Sequence, residues 1–232
     1  MKLPVSELKQ RPVFVRAAPF VVFILLTFLQ SRFDGAPRYW IYLLKTVVGG
    51  WMLWQFRRFI PELRLKFSWE AVVVGVGVVV LWIGLGPLFD AIGLKSSWIV
   101  VKTKSASTPW NPLAFFSSAV LGWLFVVVRI VGSSIVVPPM EEVFFRSFLY
   151  RYIAKPEFLT VPLGQFLWTP FIVTSVLFGF EHREWLAGIL CGFAYQGLVC
   201  RKKRLGDAIV AHAITNFLLG IWVVHRGAWQ FW

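Results

Sequence analysis

Apolar positions recur along this chain in about eight blocks, near 17–30, 39–56, 71–89, 113–137, 140–154, 161–180, 185–200 and 206–224, with short polar connections between them. Most blocks approach the roughly 20 residues that a helix needs to cross the hydrocarbon core of a bilayer. Val72–Leu85 is dense in β-branched residues, which in water would favour a strand. In lipid an open strand leaves its backbone N–H and C=O groups unpaired, so the reading is helix. The fourth block runs into Pro138-Pro139. Proline lacks a backbone donor and suits the first turn of a helix, which predicts that one helix stops there and another begins near Met140. The expected fold is all-α: a polytopic membrane helix bundle of about eight transmembrane segments, forming a single integral membrane domain over residues 1–232.

Composition agrees with lipid as the solvent, since 58% of the 232 residues are hydrophobic and only 15% are charged. Soluble domains have about 45–50% and 25%. Lys2, Lys9 and Arg11 before the apolar run Ala17–Leu29 resemble the start of a signal peptide. No small-x-small site follows, so the run reads as a retained first helix. A net charge of +13 would suggest nucleic acid in a soluble protein. Here the cations gather between apolar blocks (Arg57-Arg58, Arg64 and Lys66, Arg201–Arg204), where they meet anionic headgroups. The partners expected are therefore membrane lipids, with no nucleic acid. Trp40, Trp51, Trp54, Trp98, Trp110, Trp185 and Trp222 lie near block ends, as in an aromatic belt.

Orientation is not decided by charge. With eight crossings and the N-terminus inside, Arg201–Arg204 falls outside, and inside and outside carry similar numbers of Lys and Arg. The short 140–154 block is the candidate for a re-entrant segment. Residues 90–111, with Lys95, Lys102 and Lys104, form the longest polar connection. Cys191 and Cys200 share one predicted helix, about 13 Å apart along its axis, which is too far for a disulfide. Gly188-Ile-Leu-Cys-Gly192 has the spacing that permits close helix approach.

Only eleven acidic residues occur, yet Glu141 and Glu142 are adjacent within apolar sequence. A charge at the centre of a membrane helix costs on the order of 3 kcal/mol, so such groups usually face a polar cavity. The simpler alternative is that both complement the positive end of a helix beginning at Pro139. Arg146 follows Glu142 by four residues and shares its helix face. Glu141 lies off that face, which leaves it without a local counter-charge and suits it to act as a general base. Of the three histidines, His182 ends the run Val173–Phe180 and His212 lies inside Ile209–Val224. Asn216 projects from the same face as His212. Either could serve only as an interhelical hydrogen-bonding group.

Glu141-Glu142-Val-Phe-Phe-Arg146, Phe178-Gly-Phe-Glu-His182 and His212-Ala-Ile-Thr-Asn216 resemble, in order, the three motifs of the CPBP family. That family comprises the CAAX-processing and related bacteriocin-processing intramembrane glutamic endopeptidases. The similarity covers about residues 134–220 and extends to the short CAAX-protease-related proteins of bacterial exosortase systems. It implies an intramembrane endopeptidase of a prokaryotic cell membrane, acting on a membrane-associated, lipidated protein or peptide without a cofactor or metal. It further implies that Glu141 activates a water, His182 helps hold that water, and His212 with Asn216 stabilises the oxyanion. Glu142 and Arg146 become supporting residues. Ser147 stands where the family often has Gly, and Glu181, Arg183 and Glu184 surround His182. Two other readings use the same residues. One is a zinc peptidase with Glu and His ligands, and the other is a non-catalytic scaffold or bacteriocin self-immunity protein.

Overall fold

The computed structural model describes the backbone of residues 11–91 and 109–232 and the side chains of 11–85 and 109–232. Lys2, Lys9, Lys95, Trp98, Lys102 and Lys104 lie outside the described residues. The described chain forms α1 (Pro12–Gln30), α2 (Ala36–Phe56), α3 (Trp69–Ala91), the one-turn α4 (Pro112–Phe115), α5 (Ala119–Ala154), α6 (Trp168–Phe180), α7 (Trp185–Lys202) and α8 (Gly206–Arg226), with no strand. The β-branched run is thus helical in α3, as backbone pairing in lipid requires. Helices α1, α5 and α8 are long and apolar enough to cross a membrane by length and composition alone. Leu25, Trp51, Val80, Val120, Ile135 and Phe217 point outward, an apolar exterior that only lipid satisfies. The protein is an integral membrane helix bundle.

The helices divide differently from the apolar blocks at one place. Pro138-Pro139 does not end a helix: 113–137 and 140–154 fall largely within the continuous α5, about 50 Å long by helical rise. Widened, π-type turns at Gly132–Val136 and Val143–Leu149 make this possible. In the first, the Val137 N–H bonds back five residues to the Gly132 carbonyl. Shifting the ladder in this way relieves the clash that a proline ring otherwise makes with the preceding turn. The sixth block also starts later than its apolar pattern suggests, because 161–167 is irregular and α6 begins at Trp168.

Joining these blocks removes one crossing and brings most of the described basic connections to one end. The start of α1, the 57–68 connection, the end of α5 with the 155–167 connection, and the α7–α8 turn all meet at one end. Arg16 bonds Glu62, which bonds Arg151; Ser68 bonds Asp207; and the Lys203 ammonium donates to the Gly164 carbonyl. That end collects Arg57, Arg58, Arg64, Lys66, Lys155 and Arg201–Arg204, whereas the described residues at the other end include Arg32, Arg38, Arg183 and Arg226. Trp110 is a further difference. It lies only 1% exposed against Tyr39, Tyr42 and Phe125, packed in a small aromatic core and not placed at the lipid boundary.

Two close helix contacts position the interior. A Cβ on Gly192 would come 2.8 Å from the Ser175 Cα, and one on Gly188 would come 2.9 Å from the Gly179 Cα, so the Gly-x-x-x-Gly spacing brings α7 onto α6. Gly75 lets α3 approach the Ala211 carbonyl of α8, and the Thr215 hydroxyl bonds the Gly75 carbonyl at 3.0 Å. Cys191 and Cys200 are free thiols on α7, as their spacing requires.

At the basic end, Glu62 fastens α1 to α5 by accepting from Arg16 at 2.9 and 3.0 Å, from Arg151 at 2.5 Å and from the Ser147 hydroxyl at 3.1 Å. Burial raises the pKa of its carboxyl, but Arg16 and Arg151 outweigh that and the net shift is downward. A depressed carboxylate pKa contributes stability that is present above the unfolded-state value of about 4.3 and is lost as pH falls through the folded value. Below neutral pH the wild type should therefore lose stability, measured as detergent-solubilised thermal unfolding, more steeply than Glu62→Gln. Parallel acid profiles for the two proteins would sink this assignment.

Candidate active site

Glu141 and Glu142 occupy the middle of α5, thirteen and twelve residues before its end, about 20 Å from the basic face by helical rise. Between them and Arg146 the helix passes into its second widened segment. Glu142 is fully buried and committed twice: its Oε2 lies 3.1 Å from the Arg146 Nε, and its Oε1 lies 3.1 Å from the His212 Nδ1. Arg146, also buried, lays its guanidinium over the Phe178 ring at 4.2 Å. The i,i+4 pair read from the sequence therefore forms, with His212 as an unanticipated third member.

Glu141 differs sharply. It is only 5% exposed, and the His212 Nε2 stands 3.8 Å from its Oε2. That oxygen makes no hydrogen bond to protein. His212 thus lies between the two carboxylates, with Tyr195 stacked on its ring at 5.1 Å. An acceptor at the Nδ1 side holds a proton there and turns the Nε2 side toward Glu141. Neither Tyr195 nor the bridging position of His212 carried any signal in the sequence. A single tyrosine in an apolar helix is indistinguishable from core.

His182 follows α6 at the end remote from the basic face. Its Nδ1 lies 2.8 Å from the Phe178 carbonyl, which fixes the proton on Nδ1 and leaves Nε2 able to accept a hydrogen bond. Trp82 of α3 meets its ring edge-on at 5.4 Å. Phe178 packs against both histidines, at 4.9 Å from His182 and 5.8 Å from His212, so α6 and α8 bring the two imidazoles to one interior. Glu181, the extra acid beside His182, also has its Oε2 buried without a protein hydrogen bond. The terminal nitrogens of Arg146 are likewise buried with no hydrogen bond to protein.

Asn216 takes a position with a clear backbone cause. Its amide nitrogen donates to the Ser133 carbonyl at 2.8 Å. The normal partner of that carbonyl, the Val137 N–H, is drawn to Gly132 by the widened turn, and the next residue, Pro138, has no N–H. An orphaned carbonyl in a membrane helix requires a substitute donor, and Asn216 supplies it. One of its two amide hydrogens is therefore occupied. Among the described residues no three His, Cys, Asp or Glu side chains converge in an arrangement that could hold a metal ion.

Residues 122–218 match the family described as type II CAAX prenyl endopeptidase Rce1-like. No curated protein and no solved structure matches the chain.

Proposed function

Because residues 122–218 match the Rce1-like family of CAAX prenyl endopeptidases, we propose that the chain is a glutamic endopeptidase that cuts a membrane-associated, lipidated protein or peptide inside its own helix bundle. The observation that carries this reading is the division of labour between two adjacent carboxylates. The Oε2 of each is buried without a hydrogen bond to protein, but Glu142 has the Arg146 Nε and the His212 Nδ1 each at 3.1 Å, whereas the His212 Nε2 comes no closer than 3.8 Å to the Glu141 Oε2. A carboxylate held ready in this way can take a proton from water as the water oxygen attacks a peptide carbonyl. The same proton then passes from Glu141 to the leaving nitrogen as the C–N bond breaks. The His182 Nε2 accepts the second water hydrogen and orients the nucleophile. The remaining N–H of Asn216 is available to donate to the developing oxyanion, and His212, fixed through its Nδ1–H by Glu142, joins it as the imidazolium, donating through Nε2–H.

The positive-inside rule places the basic end of the bundle in the cytoplasm of a prokaryotic cell. The reacting groups then lie deep in the bundle, about 20 Å from that face along α5.

The test is cleavage by the purified chain of a lipidated peptide ending in a CAAX-type sequence, with products identified by mass spectrometry. His182→Ala should lower kcat/KM by about 10²-fold, mainly through kcat, because it orients water and does not hold the peptide. Cleavage by His182→Ala at the wild-type rate would overturn its role. Zinc-stoichiometric, chelator-sensitive activity would favour the metal-dependent reading.

A further inference from the structure

At the basic end lies a cavity of about 410 Å³ whose wall includes Arg64, Lys66, Lys203 and Arg204, with Glu62 as its one acid. Glu62 does not neutralise this wall, because its carboxylate is taken by Arg16 and Arg151 on the side of an adjoining cavity. Arg204 is balanced by Asp207. The Lys203 ammonium donates to a carbonyl, which carries no counter-charge. Arg64 and Lys66 are exposed, and their side chains make no hydrogen bond or ion pair among the described residues. The cavity thus keeps an excess of positive charge.

Its walls are held in place. Gly206 lies so close beneath the 64–66 strip that a Cβ there would come 2.2 Å from the Lys66 carbonyl oxygen. Ser68 bonds Asp207 through its N–H at 2.7 Å and its hydroxyl at 2.6 Å. The Lys203–Gly164 bond closes the other side at 2.6 Å. The same strip carries an alternating pattern: Leu65, Phe67 and Trp69 are 68%, 53% and 71% exposed, interleaved with Arg64 and Lys66. Apolar side chains directed outward beside cations suit the boundary where acyl chains meet phosphates.

We infer that this cavity binds the phosphate of an anionic phospholipid headgroup, with Arg64 and Lys66 as its free cations and Leu65, Phe67 and Trp69 against the acyl chains. Basic recesses among membrane helices on the cytoplasmic side recognise such headgroups, each cation adding to the attraction. The inference is independent of the proteolytic reading.

Native mass spectrometry of the full chain in mild detergent, titrated with phosphatidylglycerol, phosphatidylcholine or inorganic phosphate, tests it. The wild type should retain phosphatidylglycerol at least about tenfold more tightly than phosphatidylcholine. Arg64→Gln with Lys66→Gln should weaken phosphatidylglycerol binding about thirtyfold. Arg57→Gln with Arg201→Gln, on the same face but outside the cavity, should weaken it less than about threefold. Inorganic phosphate should not displace the lipid. Equal losses in the two double variants would show diffuse surface attraction and overturn the site. So would undiminished binding in the cavity variant, equal retention of phosphatidylcholine, or displacement by inorganic phosphate, the last of which would reassign the cavity to the free anion.

Discussion

Glu141→Gln is expected to abolish peptide cleavage, lowering kcat/KM by at least about 10³-fold, within the range that a positioned general base contributes. Gln keeps the shape of the side chain but has no lone pair basic enough to take a proton from water. The loss should fall on kcat, as expected for the loss of a base that acts on water and does not hold the peptide in its ground state. Folding should survive, since the Glu141 Oε2 makes no hydrogen bond to protein and its nearest partner is the His212 Nε2 at 3.8 Å. The measurement is single-turnover cleavage of the lipidated peptide by detergent-solubilised protein, with thermal unfolding run in parallel. Wild-type turnover in Glu141→Gln would remove Glu141 from the chemistry. It would also favour a structural role for the whole polar cluster.

Glu142→Ala should behave in the opposite manner, as a stability defect first. It leaves the buried Arg146 guanidinium and the His212 Nδ1 without their carboxylate. Removing one partner of a buried ion pair costs about 3–5 kcal/mol, because the surviving charge stays in a medium that solvates it poorly. Cleavage should fall as well, through misplacement of His212. The two variants are thus separable: Glu141→Gln loses activity with stability kept, and Glu142→Ala loses both. Equal unfolding temperatures for Glu142→Ala and wild type would contradict the assignment of Glu142 as the anchor of the cluster.

This asymmetry was legible before any coordinates, because it depends on helical spacing alone. A four-residue interval puts Glu142 and Arg146 on one face and leaves Glu141 off it. The partnership of His212 with both carboxylates was not legible, since seventy residues separate His212 from Glu142. The spacing of His212 and Asn216 showed that they share a face but not what that face meets. Asn216 illustrates the point. Its engagement with Ser133 follows from two prolines and a widened turn in another helix, and only their juxtaposition makes the carbonyl need a donor. Gly188 and Gly192 lie between these cases: the spacing announced a close approach, and the structure identified α6 as the neighbour.

By itself, then, the sequence determined the all-helical membrane character and most of the blocks that become helices, and it nominated the residues proposed for the chemistry. These depend on solvent and local period, which any segment of chain expresses alone. Only the tertiary structure decided that α5 runs unbroken through Pro138-Pro139, and it follows that the basic loops gather at one end. It also decided that His212 reaches Glu142 from a second side and stands 3.8 Å from Glu141. The physical reason is the same for each. Whether a proline ends a helix, or a carboxylate is satisfied, depends on donors and acceptors supplied by distant parts of the chain. In a bilayer core without competing water those partners must come from the protein itself.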